Sequence, residues 1–104
     1  MHARVSTLQG STDQIDEGID RIRETTVPVV KEIDGFKGIL SLVDRQTGKG
    51  LTVTLWESEE ALQASEEEAN RLRREAAGNL GATGEPIVER YEVALYEVES
   101  PITV

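Results

Sequence analysis

The apolar residues of this chain change their spacing several times, and the order of those changes restricts the fold more than any other feature. A short apolar segment at residues 3–8 precedes a run of apolar residues spaced three and four apart, which is the pattern of an amphipathic helix. The stripe consists of Ile15, Ile19, Ile22, Thr26, Val29, Val30 and Ile33. Two strand-like segments, a second helical pattern and a last strand-like segment follow.

Local signals predict where the two helices begin, break and end. Gly35 supplies the left-handed residue that favours the end of the first helix, and Pro28 predicts a kink inside it because proline lacks a backbone donor. Ser58 is a favourable N-cap for the second helix. Ser65 and Glu68 repeat the spacing of a capping box, which predicts that this helix is interrupted near Ser65.

The remaining segments complete a βαββαβ order. Strands are predicted at residues 36–43, 51–56 and 87–98, with a hairpin loop at 44–50 and a glycine-containing loop at 78–86. This order is that of the ferredoxin-like α+β fold, a four-stranded antiparallel sheet with two helices on one face. We expect a single domain over residues 1–104, with its core at about 2–98 and a short C-terminal tail at 99–104.

Both faces of the predicted sheet carry apolar residues. Ile39 and Leu40 lie on opposite faces of one strand, and Leu55 and Trp56 lie on opposite faces of the next. Two helices cover only one face, so the second face requires a partner. A closed two-fold homodimer is the simplest solution, and the sequence therefore predicts pairing with a second copy.

Composition removes several classes of function. The formal net charge of −9 disfavours nucleic acid and anionic membrane surfaces as partners. The chain has no cysteine and one histidine, so we expect no metal site and no thiol chemistry. Phosphate-binding loops are also absent from the sequence, and we expect no cofactor. No apolar run approaches the roughly 20 residues of a membrane span, and the first residues do not resemble a signal peptide. The expected location is the cytoplasm.

The residues from Leu51 to Leu62, LTVTLWESEEAL, carry a resemblance to a known family. An apolar strand that ends in Trp-Glu-Ser-Glu and leads into a helix resembles the antibiotic-biosynthesis-monooxygenase-like proteins of the dimeric α/β-barrel superfamily. The turn Ile33-Asp34-Gly35-Phe36 is similar to the turn by which that family enters its second strand. The likeness covers about residues 2–98.

The resemblance implies a cofactorless oxygenase that acts on a small aromatic substrate. The branch that oxidises phenolic polyketides has an Asn four residues before the Trp and a Tyr six residues after it. Here those positions are Thr52 and Leu62, so Trp56 alone is retained. In the haem-degrading branch the expected Asn, Trp and His align with Ala3, Ser65 and a residue near Glu75, which makes haem degradation improbable.

The candidate catalytic residues are Trp56, Thr52 and Tyr91, and the candidate ligand-binding residues are these three with Leu62. Trp56 is either an aromatic wall for a flat substrate or an anchor of the core or interface. Tyr91 is either a donor into a cavity or a packed tyrosine. The alternative function is a non-catalytic homodimer that binds a small apolar or aromatic ligand or has a structural or regulatory role.

Three other groups have two interpretations each. His2 is a general base or a frayed terminal residue. Arg4 and Arg90 pair with an anionic substrate or form surface ion pairs.

Overall fold

A computed structural model of the chain describes residues 1–79 and 86–99, with the backbone alone for residues 76–79. Most of the predicted loop at 78–86 and the tail from residue 100 onward lie outside the described residues. The strands and helices are β1 His2–Gln9, α1 Ile15–Arg21, α2 Val27–Val30, β2 Phe36–Val43, β3 Lys49–Trp56, α3 Glu59–Ala64, α4 Glu66–Asn79 and β4 Ile87–Glu92.

The four strands form one sheet in the order β2-β3-β1-β4, and every neighbouring pair is antiparallel. This topology confirms the predicted ferredoxin-like α+β fold. The register places Thr54 of β3 and Arg90 of β4 on either side of Arg4 in β1. Opposed residues in an antiparallel sheet point to the same face, so these three side chains share the face that the helices cover.

The first helical segment is interrupted, as the proline predicted, but the irregularity precedes Pro28. A 3₁₀ turn at Thr12–Gln14 leads into α1, and a π-helical turn at Ile22–Thr26 separates α1 from α2. Pro28 then lies in the first turn of α2. The helical backbone is continuous here, because the Val27 N–H donates to the Ile22 carbonyl across the π turn. The irregular turn therefore lies directly before the proline, whose ring lacks a donor and crowds the preceding helical turn.

The second helical segment breaks at Ser65, as predicted. Ser58 caps α3 by accepting a hydrogen bond from the backbone N–H of Ala61 at 3.1 Å. The Ser65 side chain does not form the expected capping box. Its hydroxyl donates to the Leu62 carbonyl at 2.7 Å and accepts a hydrogen bond from Arg4, so it faces the interior.

The last strand is shorter than predicted, ending at Glu92 instead of residue 98. β4 pairs only with β1, and that register reaches its limit where the Val93 N–H donates to the Met1 carbonyl at 2.9 Å. Apolar alternation alone therefore overestimated the strand, because a strand also needs a neighbour for its backbone groups.

The two faces of the sheet differ in composition. The helix-covered face carries Arg4, Ser6, Thr52, Thr54 and Trp56. The opposite face, which we call the outer face, carries Val5, Leu40, Leu42, Val53, Leu55 and Tyr91. Within residues 1–79 and 86–99, no helix combines the length and apolar character needed to cross a membrane.

Candidate functional site

A cavity of about 60 Å³ lies between the helix-covered face of the sheet and the helices, and it is partly open to solvent. A water molecule needs roughly 10–15 Å³, so the enclosed part has room for about four waters or part of one small ring. The sheet contributes Arg4, Ser6, Leu8, Thr52, Thr54 and Trp56. The helical segments contribute Ile22, Thr26, Val30, Ala69, Leu72 and Arg73, with Ile33 after α2.

Trp56 forms an aromatic wall of this cavity and is also a core residue. Its side chain is 1% exposed, and the Phe36 ring meets it edge-on with 5.7 Å between ring centroids. The indole Nε1 donates to Thr54 Oγ1 at 3.0 Å. Because this donor is already occupied, Trp56 offers its ring surface to a ligand. The two interpretations of the residue, wall and anchor, are therefore compatible.

Arg4 is buried in the sheet instead of forming the expected surface ion pair, with 3% of the residue exposed. Its Nη2 donates to the Leu62 carbonyl at 2.8 Å and to Ser65 Oγ at 2.9 Å, and it lies 3.1 Å from Glu66 Oε1. The guanidinium carbon is 5.8 Å from the Trp56 ring centroid. Burial lowers the pKa of Arg4, although Glu66 opposes this effect.

Glu66 links this interior arginine to the surface. Arg90 binds its carboxylate with two hydrogen bonds, from Nε at 2.6 Å and from Nη2 at 2.9 Å, which is the surface ion pair expected of Arg90. These bonds, with a smaller contribution from Arg4, lower the pKa of Glu66 to about 2 against the opposing effect of burial. Glu66 is therefore ionised throughout the physiological range.

Arg73 is the second guanidinium of the cavity wall. Its Nε donates to Ser6 Oγ at 3.3 Å, and its Nη1 donates to Asn70 Oδ1 at 2.6 Å. Desolvation and the nearby charge of Arg4 lower the pKa of Arg73. In the sequence, Arg73 stands between Arg71 and Arg74, and nothing in its spacing distinguishes it from these two exposed arginines.

Two of the predicted site residues, Thr52 and Trp56, meet in the cavity wall. Leu62 is buried but does not line the cavity, whereas Leu72 forms part of its wall. Tyr91 lies on the outer face, 51% exposed, where its hydroxyl donates to Glu89 at 2.8 Å and its pKa is raised by that bond. The structure therefore separates Tyr91 from Thr52 and Trp56.

The single histidine, His2, also has a defined place in the fold. His2 is the first residue of β1 opposite Trp56, so it is not a frayed terminal residue. Over the described ranges, residues 1–79 and 86–99, no three His, Cys, Asp or Glu side chains cluster closely enough to hold a metal ion.

Two proteins of Mycobacterium tuberculosis (strain ATCC 25618 / H37Rv) resemble the chain in sequence. Uncharacterized protein Rv2557 is 37% identical over 94 residues, covering 90% of this chain and 41% of the relative. Uncharacterized protein Rv2558 is 36% identical over 101 residues, covering 97% of this chain and 42% of the relative. The chain thus spans about two fifths of the length of these relatives. No protein-family model matches it.

Solved structures extend the comparison to proteins with described activities. A monooxygenase from the gene ActVA-Orf6 of Streptomyces coelicolor, in complex with nanaomycin D, aligns with a TM-score of 0.76 at 16% identity, over 95% of this chain and 92% of that one. The haem degrader MhuD of Mycobacterium tuberculosis aligns at 0.70 with 25% identity, over 94% and 100%. SnoaB of Streptomyces nogalater, a cofactor-independent oxygenase, aligns at 0.64 with 12% identity, over 91% and 94%.

These alignments cover nearly the whole chain and agree with the resemblance carried by Trp56 and the residues around it. The chain thus shares the fold of the antibiotic-biosynthesis-monooxygenase-like proteins found among these solved structures.

Proposed function

We propose that the chain binds a small aromatic molecule in the partly open cavity beside Trp56, with part of the ring inside the cavity and the rest in its opening, and oxygenates it without a cofactor. The observation that carries this proposal is a partly open, largely apolar cavity whose wall includes the single tryptophan of the chain. Two neighbours of the same fold support it by their described roles, the ActVA-Orf6 monooxygenase and the cofactor-independent oxygenase SnoaB.

The proposed reaction converts a phenol to a quinone with molecular oxygen as the oxidant. One oxygen atom of O₂ replaces hydrogen on a ring carbon, the phenol loses its hydroxyl proton, and the second oxygen atom leaves as water. The ring loses four electrons and O₂ gains four. The substrate supplies the electrons, so the protein has to hold the ring and exclude water.

The residues of this chain suit that role, although two of them differ from those of the phenol-oxidising proteins. Trp56 supplies a rigid aromatic surface, and Thr52 supplies a hydroxyl where the phenol-oxidising relatives have an amide. Leu62 occupies the position of their tyrosine and lies outside the cavity wall. Thr52 and Trp56 are therefore the proposed ligand-contacting residues, and orientation of the ring against them is the proposed contribution of the protein. Leu62 and Tyr91 stay predictions of the sequence.

The test combines calorimetry with oxygen uptake, using 1-naphthol as the probe. We expect saturable binding and the appearance of naphthoquinone with one O₂ consumed per naphthol. Thr52→Phe narrows the cavity and abolishes both, while Thr47→Phe, which adds the same ring to an exposed loop, changes neither.

Binding without oxygen uptake would overturn the oxygenase and leave the non-catalytic binding protein. An absence of binding, or binding that survives Thr52→Phe, would remove the cavity from the function.

We also propose that the chain works as a homodimer through the outer face. Leu40 and Leu42 are 55% and 46% exposed there, and Leu95 beyond β4 is 80% exposed. Adjacent exposed leucines on a sheet indicate a surface that another protein covers. The outer face of a second copy is the complementary apolar surface that this chain itself supplies.

A further inference from the structure

Two buried guanidinium atoms in the cavity wall lack hydrogen-bond acceptors. They are Nε of Arg4 and Nη2 of Arg73, and neither has a partner among the residues that the structure describes. Both arginines line the cavity. A buried donor without an acceptor costs about 1–3 kcal/mol and is uncommon in native proteins. An acceptor supplied by a ligand would remove that cost.

The charges around the cavity are also unbalanced. The charges that act on Arg73 are three other guanidinium groups, Arg4, Arg90 and the exposed Arg74, and one carboxylate, Glu66. Glu66 is bound by Arg4 and Arg90, and no carboxylate of the described residues lies within ion-pair distance of Arg73. The site therefore has a surplus of positive charge inside a chain whose formal net charge is −9.

The guanidinium group of Arg73 is held in a defined position. Ser6 Oγ accepts from its Nε, and Asn70 Oδ1 accepts from its Nη1. With two nitrogens fixed by the protein, the third is positioned before a ligand arrives. Such preorganisation reduces the entropy lost on binding.

We infer that Arg4 and Arg73 hold the carboxylate of a small molecule whose aromatic or apolar body lies against Trp56, Ile22 and Leu72. A carboxylate has acceptors that match the planar guanidinium group, and a charge-assisted bond is roughly twice as strong as a neutral one. The three body-contacting residues line the same cavity. The inference rests on the proposed function only in using that cavity as the ligand site, and it does not depend on oxygenation.

The test compares benzoate with benzamide, its neutral analogue of similar shape, by quenching of Trp56 fluorescence at pH 7. We expect benzoate to bind at least tenfold more tightly than benzamide. Arg73→Gln should weaken benzoate at least tenfold and leave benzamide unchanged. Arg74→Gln removes an exposed arginine from the next position and should change neither affinity.

Thermal unfolding separates a binding role from a structural one. We expect Arg73→Gln to be as stable as the wild type or more stable, because it removes a desolvated charge, and we expect benzoate to stabilise the wild type alone. A variant that loses stability but keeps its affinity for benzoate would overturn the inference.

Benzoate, benzamide and 1-naphthol together distinguish failure of the carboxylate site from failure of the proposed oxygenase. Equal binding of benzoate and benzamide, or no binding of benzoate beside normal turnover of 1-naphthol, would overturn the carboxylate site alone. Benzoate binding that depends on Arg73, without any oxygen uptake from 1-naphthol, would overturn the oxygenase and keep the carboxylate site.

Discussion

The two faces of the sheet invert the usual distribution of polar and apolar residues. The helix-covered face encloses Arg4, Thr54 and other polar side chains, whereas the outer face leaves Leu40 and Leu42 largely in solvent. Burial of an arginine carries a desolvation cost, and a half-exposed leucine leaves apolar surface in water, so both are informative where they occur. The first indicates a site for a ligand, and the second indicates a surface for a partner.

The largest expected effect concerns the outer face. Leu40→Glu places a charge in the proposed dimer interface twice, once from each copy, and removes an apolar contact each time. We expect dimerisation to weaken by about 4 kcal/mol, close to a thousandfold in Kd. Sedimentation equilibrium measures this change.

The matched control is Ser41→Glu, which adds the same charge to the next residue of β2 on the helix-covered face. If both variants remain dimeric, the outer face is not the interface, and its exposed leucines do not indicate a partner surface.

The next effect concerns the helix-covered face. Arg4→Met keeps an apolar side chain of similar length but leaves the Leu62 carbonyl and Ser65 Oγ without their donor. We expect a loss of about 3 kcal/mol in the free energy of unfolding, measured with urea.

Arg45→Met is the control, because it removes the exposed ion pair of Arg45 with Asp16. Such pairs contribute about 0–1 kcal/mol. Equal losses in the two variants would show that burial gives Arg4 no special structural importance.

A smaller effect on the free energy of unfolding is expected at acid pH. Because the folded pKa of Glu66 is lowered to about 2, its contribution is present above the unfolded value near 4.5 and is lost as pH falls from there towards 2. We expect a contribution of about 2 kcal/mol, reduced from the full shift because the side chain is partly exposed.

Glu66→Gln should therefore flatten the stability profile between pH 4.5 and 2 relative to the wild type, as followed by urea unfolding at each pH. Parallel profiles for the two proteins would contradict the assigned ion pair with Arg90.

The smallest expected effect comes from the loss of a single hydrogen bond. Thr54→Val removes the acceptor of the Trp56 indole while preserving the shape of the side chain. We expect a loss of about 1 kcal/mol in unfolding free energy and a shift in Trp56 fluorescence. An unchanged emission spectrum would show that the indole does not depend on Thr54.

Sequence patterns predicted the order of the elements because strand and helix periodicities are local. They also located the helix breaks near Pro28 and Ser65, although the capping box predicted at Ser65 does not form. The length of the last strand was not predictable in this way. Its end depends on the register with β1, which only the assembled sheet defines.

For the candidate site, the sequence singled out Trp56 and Thr52, which the structure places in one cavity wall. It did not single out Arg73, because an arginine on a helix has the same local signature whether it faces solvent or a cavity.

The sequence by itself thus determined the βαββαβ order and the apolar outer face of the sheet, because strand alternation and helix periodicity are encoded in neighbouring residues. Only the tertiary structure decided that Arg4 is buried, that Arg73 joins it in the cavity wall, and that Tyr91 lies on the opposite face. The reason is physical: burial and charge balance depend on residues that are distant in the chain and adjacent only after the helices pack on the sheet.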